Sequence, residues 1–172
     1  MLNKQIFITN GMARCGKDTF AAFLNDIIPT RKYSSIDKVK VIAKLCGWTG
    51  GKTERDRKFL SDLKLLTTNY SNMAFEAIRE VVNDFLTVDG IFSVLLIDIR
   101  EPEEIEKAKK IFGAKTILIE NNRVKMIDSN MADANVFNYK YDYIVKNNGT
   151  LDEFRENVAK FAKEVLLDKT KN

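Results

Sequence analysis

The segment Gly11-Met-Ala-Arg-Cys-Gly16-Lys17-Asp18-Thr19 constrains this chain more than any other. An apolar run, Gln5-Ile-Phe-Ile-Thr9, precedes it, and a helical pattern, Phe20-Ala-Ala-Phe-Leu24, follows it. Strand, glycine-bearing turn and helix together make the context in which successive backbone N–H groups curl around a phosphate. Gly11 and Gly16 reach backbone conformations closed to other residues. The positive end of the following helix strengthens the field, and Lys17 supplies a mobile cation for the β- and γ-phosphates. One position departs from the common pattern. The residue after the lysine, usually Ser or Thr, is Asp18, with Thr19 next.

Bulk properties narrow the classes that remain. A chain of 172 residues with 45% hydrophobic content suits one domain with a sizeable core. No stretch approaches the ~18 continuous apolar residues of a membrane helix. Residue 1 runs almost directly into the first strand, so no signal or transit peptide is expected. Cys15 and Cys46 form neither a disulfide framework nor a metal-ligand spacing, which favours a reducing, cytoplasmic setting. A formal charge of +4 suits a polyanionic ligand, and no basic block is long enough to suggest a nucleic-acid tail. The chain has no histidine, which removes Ser-His-Asp and Cys-His nucleophilic schemes and histidine-ligated zinc. Phosphoryl transfer survives this filter, because it asks the protein mainly for positioning and cationic stabilisation.

Strand and helix signals alternate, which predicts an α/β fold: a parallel sheet of about five strands with helices on both faces. Strands are predicted at Arg31–Ser35, Phe92–Ile97, Thr116–Glu120 and Tyr141–Lys146, with Tyr139, Tyr141 and Tyr143 alternating. Between the second and third strands three apolar stripes recur at helical spacing. The first is Val39, Ile42, Ala43 and Cys46; the second Phe59, Leu60, Leu63 and Leu66; the third Met73, Ala77, Ile78, Val81, Val82 and Phe85. This block, residues 36–90, reads as a helical insertion that covers a substrate within a single domain of residues 1–172. Pro102 can open a helix that runs to Phe112. Thr150 with Glu153 forms a capping box for a last helix that turns Leu151, Phe154, Val158, Phe161, Val165 and Leu166 inward.

Four groups of residues carry candidate chemistry. Gly11, Ala13, Arg14, Cys15, Gly16 and Lys17 form the P-loop proper. Cys15 reads as a filler, although its place near a helix N-terminus and Lys17 would also lower its pKa. Asp18 and Thr19 offer hard oxygens to magnesium, and Asp18 equally suits the positive end of the helix. Asp98-Ile-Arg100 closes a buried strand at its carboxyl end, where ligands bind in open α/β sheets. Asp98 would assist the metal and Arg100 would grip a phosphate, or the two would form an ion pair. Around Lys52–Lys64, Arg57 and Lys64 share a helical stripe, and Lys40 lies upstream. Residues 121–138 read as a short lid-like segment that carries Arg123 and Lys125.

Gly11-x-x-Arg14-Cys15-Gly16-Lys17-Asp18-Thr19 resembles the P-loop of deoxynucleoside monophosphate kinases, relatives of adenylate kinase and dephospho-coenzyme A kinase. The family usually has serine where this chain has Cys15, and its Lys-Asp-Thr ending is matched here. Asp98-x-Arg100 resembles the family's Asp-x-Arg at the same place in the order of elements. The resemblance implies a three-layer α/β/α P-loop fold, ATP and Mg2+ as cofactors, and a small phosphorylated acceptor. It assigns Lys17, Asp98 and Arg100 to catalysis, and Lys40, Arg57, Lys64 and Arg100 to the acceptor. The metal falls to Asp18, Thr19 and Asp98. Arg123 in the lid and Asn148 in the Asn147-Asn148-Gly149 turn fall on the donor nucleotide. In the lid, the family's histidine, hydroxyl residue and glutamate are here Asn130, Ala132 and Asp133. The rival readings are a dephospho-coenzyme A kinase-like or other small-molecule kinase, and a nucleotide-binding protein with little catalytic activity.

Overall fold

A computed structural model describes residues 4–87, 90–124 and 136–167. The chain divides into two compact units, Met1–Lys32 with Asp89–Asn172, and Tyr33–Val88. Among the described residues, no helix is long and apolar enough to cross a membrane.

The first unit is built on a sheet of five strands: β1 (Gln5–Asn10), β2 (Thr30–Ser34), β3 (Val94–Asp98), β4 (Lys115–Glu120) and β5 (Tyr143–Lys146). Their order is β2-β3-β1-β4-β5. β1 pairs in parallel with both β3 and β4, and β4 in parallel with β5. Buried on both faces, β3 reads as an unbroken apolar run, as a central parallel strand must. Phe7, Leu96, Ile117, Ile119 and Val145 turn to one face. There they meet α1 (Lys17–Asn25) and α6 (Leu151–Phe161), which continues as a π-helical turn over Ala162–Leu167. Rings of Phe7, Phe20 and Tyr143 each stand 5.6–5.8 Å from Phe161, tilted or edge-on, the geometry that aromatic quadrupoles favour. The opposite face carries α5 (Pro102–Phe112), which packs on β1 and β4 through its buried Ile105 and Ala108. Helix layer, sheet and helix layer make the predicted three-layer α/β fold.

The second unit holds α2 (Asp37–Leu45), α3 (Glu54–Ser71) and α4 (Met73–Thr87), which pack on one another. Its buried face comes mainly from α4, through Ala74, Phe75, Ala77, Ile78, Val82 and Phe85.

Several sequence expectations shift at this level. The stripe Phe59, Leu60, Leu63 and Leu66 does not go inward: α3 buries none of its 18 residues, and Leu66 is 66% exposed. Local caps define that helix instead, a Thr53–Asp56 capping box at its start and a left-handed Asn72 at its end. Cys46 is the C-cap of α2, just past its end at Leu45, and is exposed. Leu151 stands in the first turn of α6, ahead of the buried Phe154, and is 63% exposed. Tyr139 and Tyr141 do not alternate along β5. A 3-10 turn at Val136–Asn138 precedes them, and their rings meet edge-on at 4.9 Å. β3 begins at Val94 rather than Phe92.

The capping box at Thr150 is present on both sides, with the Thr150 hydroxyl accepting from the Glu153 N–H and the Glu153 carboxylate accepting from the Thr150 N–H. Thr150→Ala is expected to cost about 1 kcal/mol, read from urea denaturation. The bond from the Thr150 backbone, helped by its hydroxyl, holds the Glu153 carboxyl below its ordinary pKa. A carboxyl whose pKa falls on folding stabilises the fold above its unfolded value and loses that contribution as pH drops through the folded one. Thermal melts of Glu153→Gln and of the unsubstituted chain should therefore differ at pH 7 and converge below the folded pKa of Glu153.

Candidate phosphate-binding site

β1 delivers the chain to the loop at the carboxyl edge of the sheet. β1 and β3 lie side by side, and their chains leave in opposite directions, through α1 to β2 and through α5 to β4. Such a divergence opens a crevice at the strand ends. Within the loop, Gly11, Arg14 and Gly16 have φ of 146°, 65° and 109°. A Cβ on Gly16 would stand 2.5 Å from the Asn147 amide nitrogen. A Cβ on Gly11 would stand 2.6 Å from the Ile119 carbonyl oxygen of β4. The Gly11 N–H does not turn into the loop; it donates to the Asn10 side-chain oxygen at 2.8 Å. Lys17 Nζ folds over the loop and donates to the carbonyls of Gly11 at 2.6 Å and Met12 at 2.9 Å. Ala13 is half-buried and Arg14 exposed. Cys15 is buried, and burial pushes its thiol above the ordinary range despite the nearby Lys17 charge. The lowered pKa that its position suggested is not found; the desolvation of a buried thiolate outweighs the helix and the lysine.

The carboxylates of the site converge on a residue that the sequence reading did not single out. Lys32, on β2, places Nζ 2.9 Å from Asp98 Oδ2 and also pairs with Asp18 Oδ1. The second Asp98 oxygen accepts from the Thr9 hydroxyl, and the β1–β3 register sets Thr9 directly opposite Asp98. Burial alone would lower the pKa of Lys32; the charges and hydrogen bonds of Asp98 and Asp18 outweigh it and hold the ammonium above its ordinary range. Asp18 is otherwise exposed, and Thr19, beside it on α1, is half-buried. Arg100 is half-buried just past the end of β3, and its carbonyl accepts from the Asn10 side chain at 3.3 Å. A signal for Lys32 did exist: a cation in a short strand becomes informative once that strand is known to neighbour the strand ending in Asp98.

A second network ties the loop to its flank. The buried Asn10 amide also donates to the Tyr141 hydroxyl at 2.8 Å, which in turn donates to the Val136 carbonyl. The desolvation of the ring pushes the Tyr141 hydroxyl up to about 12. Asn147 donates to the Cys15 carbonyl at 2.9 Å, and its own backbone N–H bonds Glu120. Arg123 donates to the Asn147 carbonyl at 3.2 Å, while Asn148 accepts from the Asn122 N–H at 2.7 Å. Arg123 and Asn148, expected on the donor side, thus lie on two hydrogen-bonded turns beside the loop. Lys125 and Asp128–Asp133 of the lid-like segment lie outside the described residues.

Of the residues expected on the acceptor side, Lys40, Arg57 and Lys64 belong to the unit Tyr33–Val88 and Arg100 to the other unit. Lys40 lies on α2 with Nζ 3.0 Å from Asp37. Arg57 and Lys64, seven residues apart on α3, share a face and are both half-buried; Arg57 Nε donates to the Lys52 carbonyl at 3.3 Å.

No protein-family model matches the sequence, and no curated protein sequence matches it. Solved structures do resemble the chain. A dephospho-CoA kinase from Campylobacter jejuni is 20% identical with a TM-score of 0.51, over 95% of this chain and 98% of that one. Shikimate kinase from Aquifex aeolicus vf5 is 12% identical with a TM-score of 0.54, over 98% and 100%. A gluconokinase from Sinorhizobium meliloti 1021 is 11% identical with a TM-score of 0.52, over 98% and 97%. At these identities the likeness is one of fold: the chain has the three-layer α/β fold of these kinases.

Gly16 combines a left-handed φ with a side-chain contact. Gly16→Ala is expected to cost about 1–3 kcal/mol in denaturant unfolding.

Proposed function

We propose that this chain transfers the γ-phosphoryl group of ATP to a small acceptor that already carries a phosphate, most plausibly a (deoxy)nucleoside monophosphate. The glycine-bearing turn with Lys17 above it supports the donor half of this reading, as does the fold it shares with small-molecule kinases. In the reaction the bond between the γ-phosphorus and the bridging oxygen breaks, ADP leaves, and an acceptor oxygen takes the phosphoryl group. Lys17 would follow the charge as it moves onto the leaving group, and Arg100 would hold acceptor or transferring phosphate oxygens.

One observation favours a phosphate over a hydroxyl as the attacking group. Asp18 and Asp98, the carboxylates beside the loop, share the Lys32 ammonium, and Asp98 also holds the Thr9 hydroxyl. Both carboxylates thus already accept from donors of this chain, and the chain has no histidine to take a proton. An alcohol acceptor must lose a proton during transfer. A phosphate oxygen is already anionic and needs none removed. Lys40, Arg57 and Lys64 would supply the cations that such an acceptor requires.

Magnesium fits the donor set. Among the described residues no three or more His, Cys, Asp or Glu side chains gather into a self-contained metal cage. Asp18 and Asp98 nonetheless converge on one cation, the Lys32 ammonium, and Thr19 adds a hydroxyl. One or two carboxylates completed by phosphate oxygens are what magnesium usually takes. When bound, the ion would neutralise charge on the β- and γ-phosphates.

Coupled-enzyme detection of ADP, with ATP, magnesium and a panel of acceptors, tests the proposal. Nucleoside monophosphates should drive ADP release, and dephospho-coenzyme A, shikimate and gluconate should not. Lys17→Met and Arg100→Met should each lower kcat by about 100-fold or more. Release driven only by the alcohol acceptors would overturn the choice of acceptor. ATP binding with no acceptor-dependent release at all would favour a nucleotide-binding protein.

A further inference from the structure

We propose that Lys32 is a resident counter-cation that keeps free divalent metal off the Asp18–Asp98 pair, so that metal enters this site together with a polyphosphate. The inference rests on the nucleotide-phosphate reading of the same loop and assigns a regulating part to a residue outside it. Lys32 reaches both carboxylates from β2, one at 2.9 Å, and its side chain is half-buried, with the ammonium held between the exposed Asp18 and the more enclosed Asp98. Both Asp98 oxygens are engaged, one by Lys32 and the other by Thr9.

The charges explain why metal and polyphosphate should arrive together. Among these three groups, two carboxylates and one ammonium leave a single net negative charge, so a divalent ion brought alone must sit against the ammonium or displace it from both ion pairs. A polyphosphate seated over the loop changes that balance. It brings several negative charges within reach of Lys17 and Lys32, which allows the ammonium to shift to phosphate oxygens and releases carboxylate oxygens to the metal. Lys32 therefore acts through Asp18 and Asp98 and is a positioning residue. It would suppress metal binding in isolation and raise the coupling between metal and nucleotide.

Manganese(II) binding to the full chain, followed by the electron paramagnetic resonance signal of the free ion with and without ADP, tests this directly. Without ADP, Lys32→Met should bind Mn2+ about tenfold or more tighter than the unsubstituted protein, whereas Lys32→Arg should match it. Adding Asp98→Asn to Lys32→Met should abolish the gain. ADP should tighten Mn2+ binding by a larger factor in the unsubstituted protein than in Lys32→Met. Equal Mn2+ affinity of Lys32→Met and the unsubstituted chain without ADP would overturn the inference. Should circular dichroism show that Lys32→Met has lost its helices, Lys32→Gln takes its place in every comparison. Failure of ADP to bind any of these proteins would strike the nucleotide reading, while the comparison with Mn2+ alone still judges Lys32.

Discussion

The parallel pairing of β1 with β3 is the constraint on which the site depends. It sets Thr9, the penultimate residue of β1, opposite Asp98, the last residue of β3, at the carboxyl ends of two central strands. From that register follow the Thr9–Asp98 hydrogen bond, the reach of β2's Lys32 to Asp98, and the bond between the Asn10 side chain and the Arg100 carbonyl. A one-residue slip would turn Asp98 to the other face of the sheet, away from Thr9 and Lys32. Because β3 is apolar on both faces, these polar contacts at its end help to hold its register.

The electrostatics of the loop show two cations and two carboxylates arranged in different ways. Lys17 is satisfied by backbone carbonyls of its own turn, a neutral and easily exchanged set of partners. Lys32 is held by full negative charges. Moving Lys17 would give up only dipoles, whereas moving Lys32 would break ion pairs. The two lysines therefore differ in what displacing them costs.

The sequence carried the fold well because the fold rests on local patterns. A continuous apolar run marked β3, a proline marked the start of α5, and a Thr–Glu pair marked the start of α6. The loop was legible for the same reason, since its glycines, lysine and flanking elements are contiguous. What escaped is non-local. Lys32 and Asp98 are far apart in the chain, and their meeting depends on a strand order that no window of residues encodes. Asn10 and Tyr141 likewise meet only after β1 and the segment before β5 come together. α3 shows the converse error: its leucines fit a helical stripe, yet spacing alone does not say that a stripe has a partner, and none of its residues is buried.

Gly11 bears on how such a loop is to be understood. Its N–H is spent on the Asn10 side chain, and a Cβ there would run into the Ile119 carbonyl of the adjoining strand. A glycine is demanded there by its φ of 146° and by the closeness of both the Ile119 carbonyl and the Cys15 sulfur. Transplanted to a sheet whose neighbouring strand ended one residue sooner, the same loop could keep its grip on phosphate and lose part of the steric demand for glycine at its first position. Both glycines of the turn thus record the architecture, Gly11 through the adjoining strand and Gly16 through the Asn147 side chain.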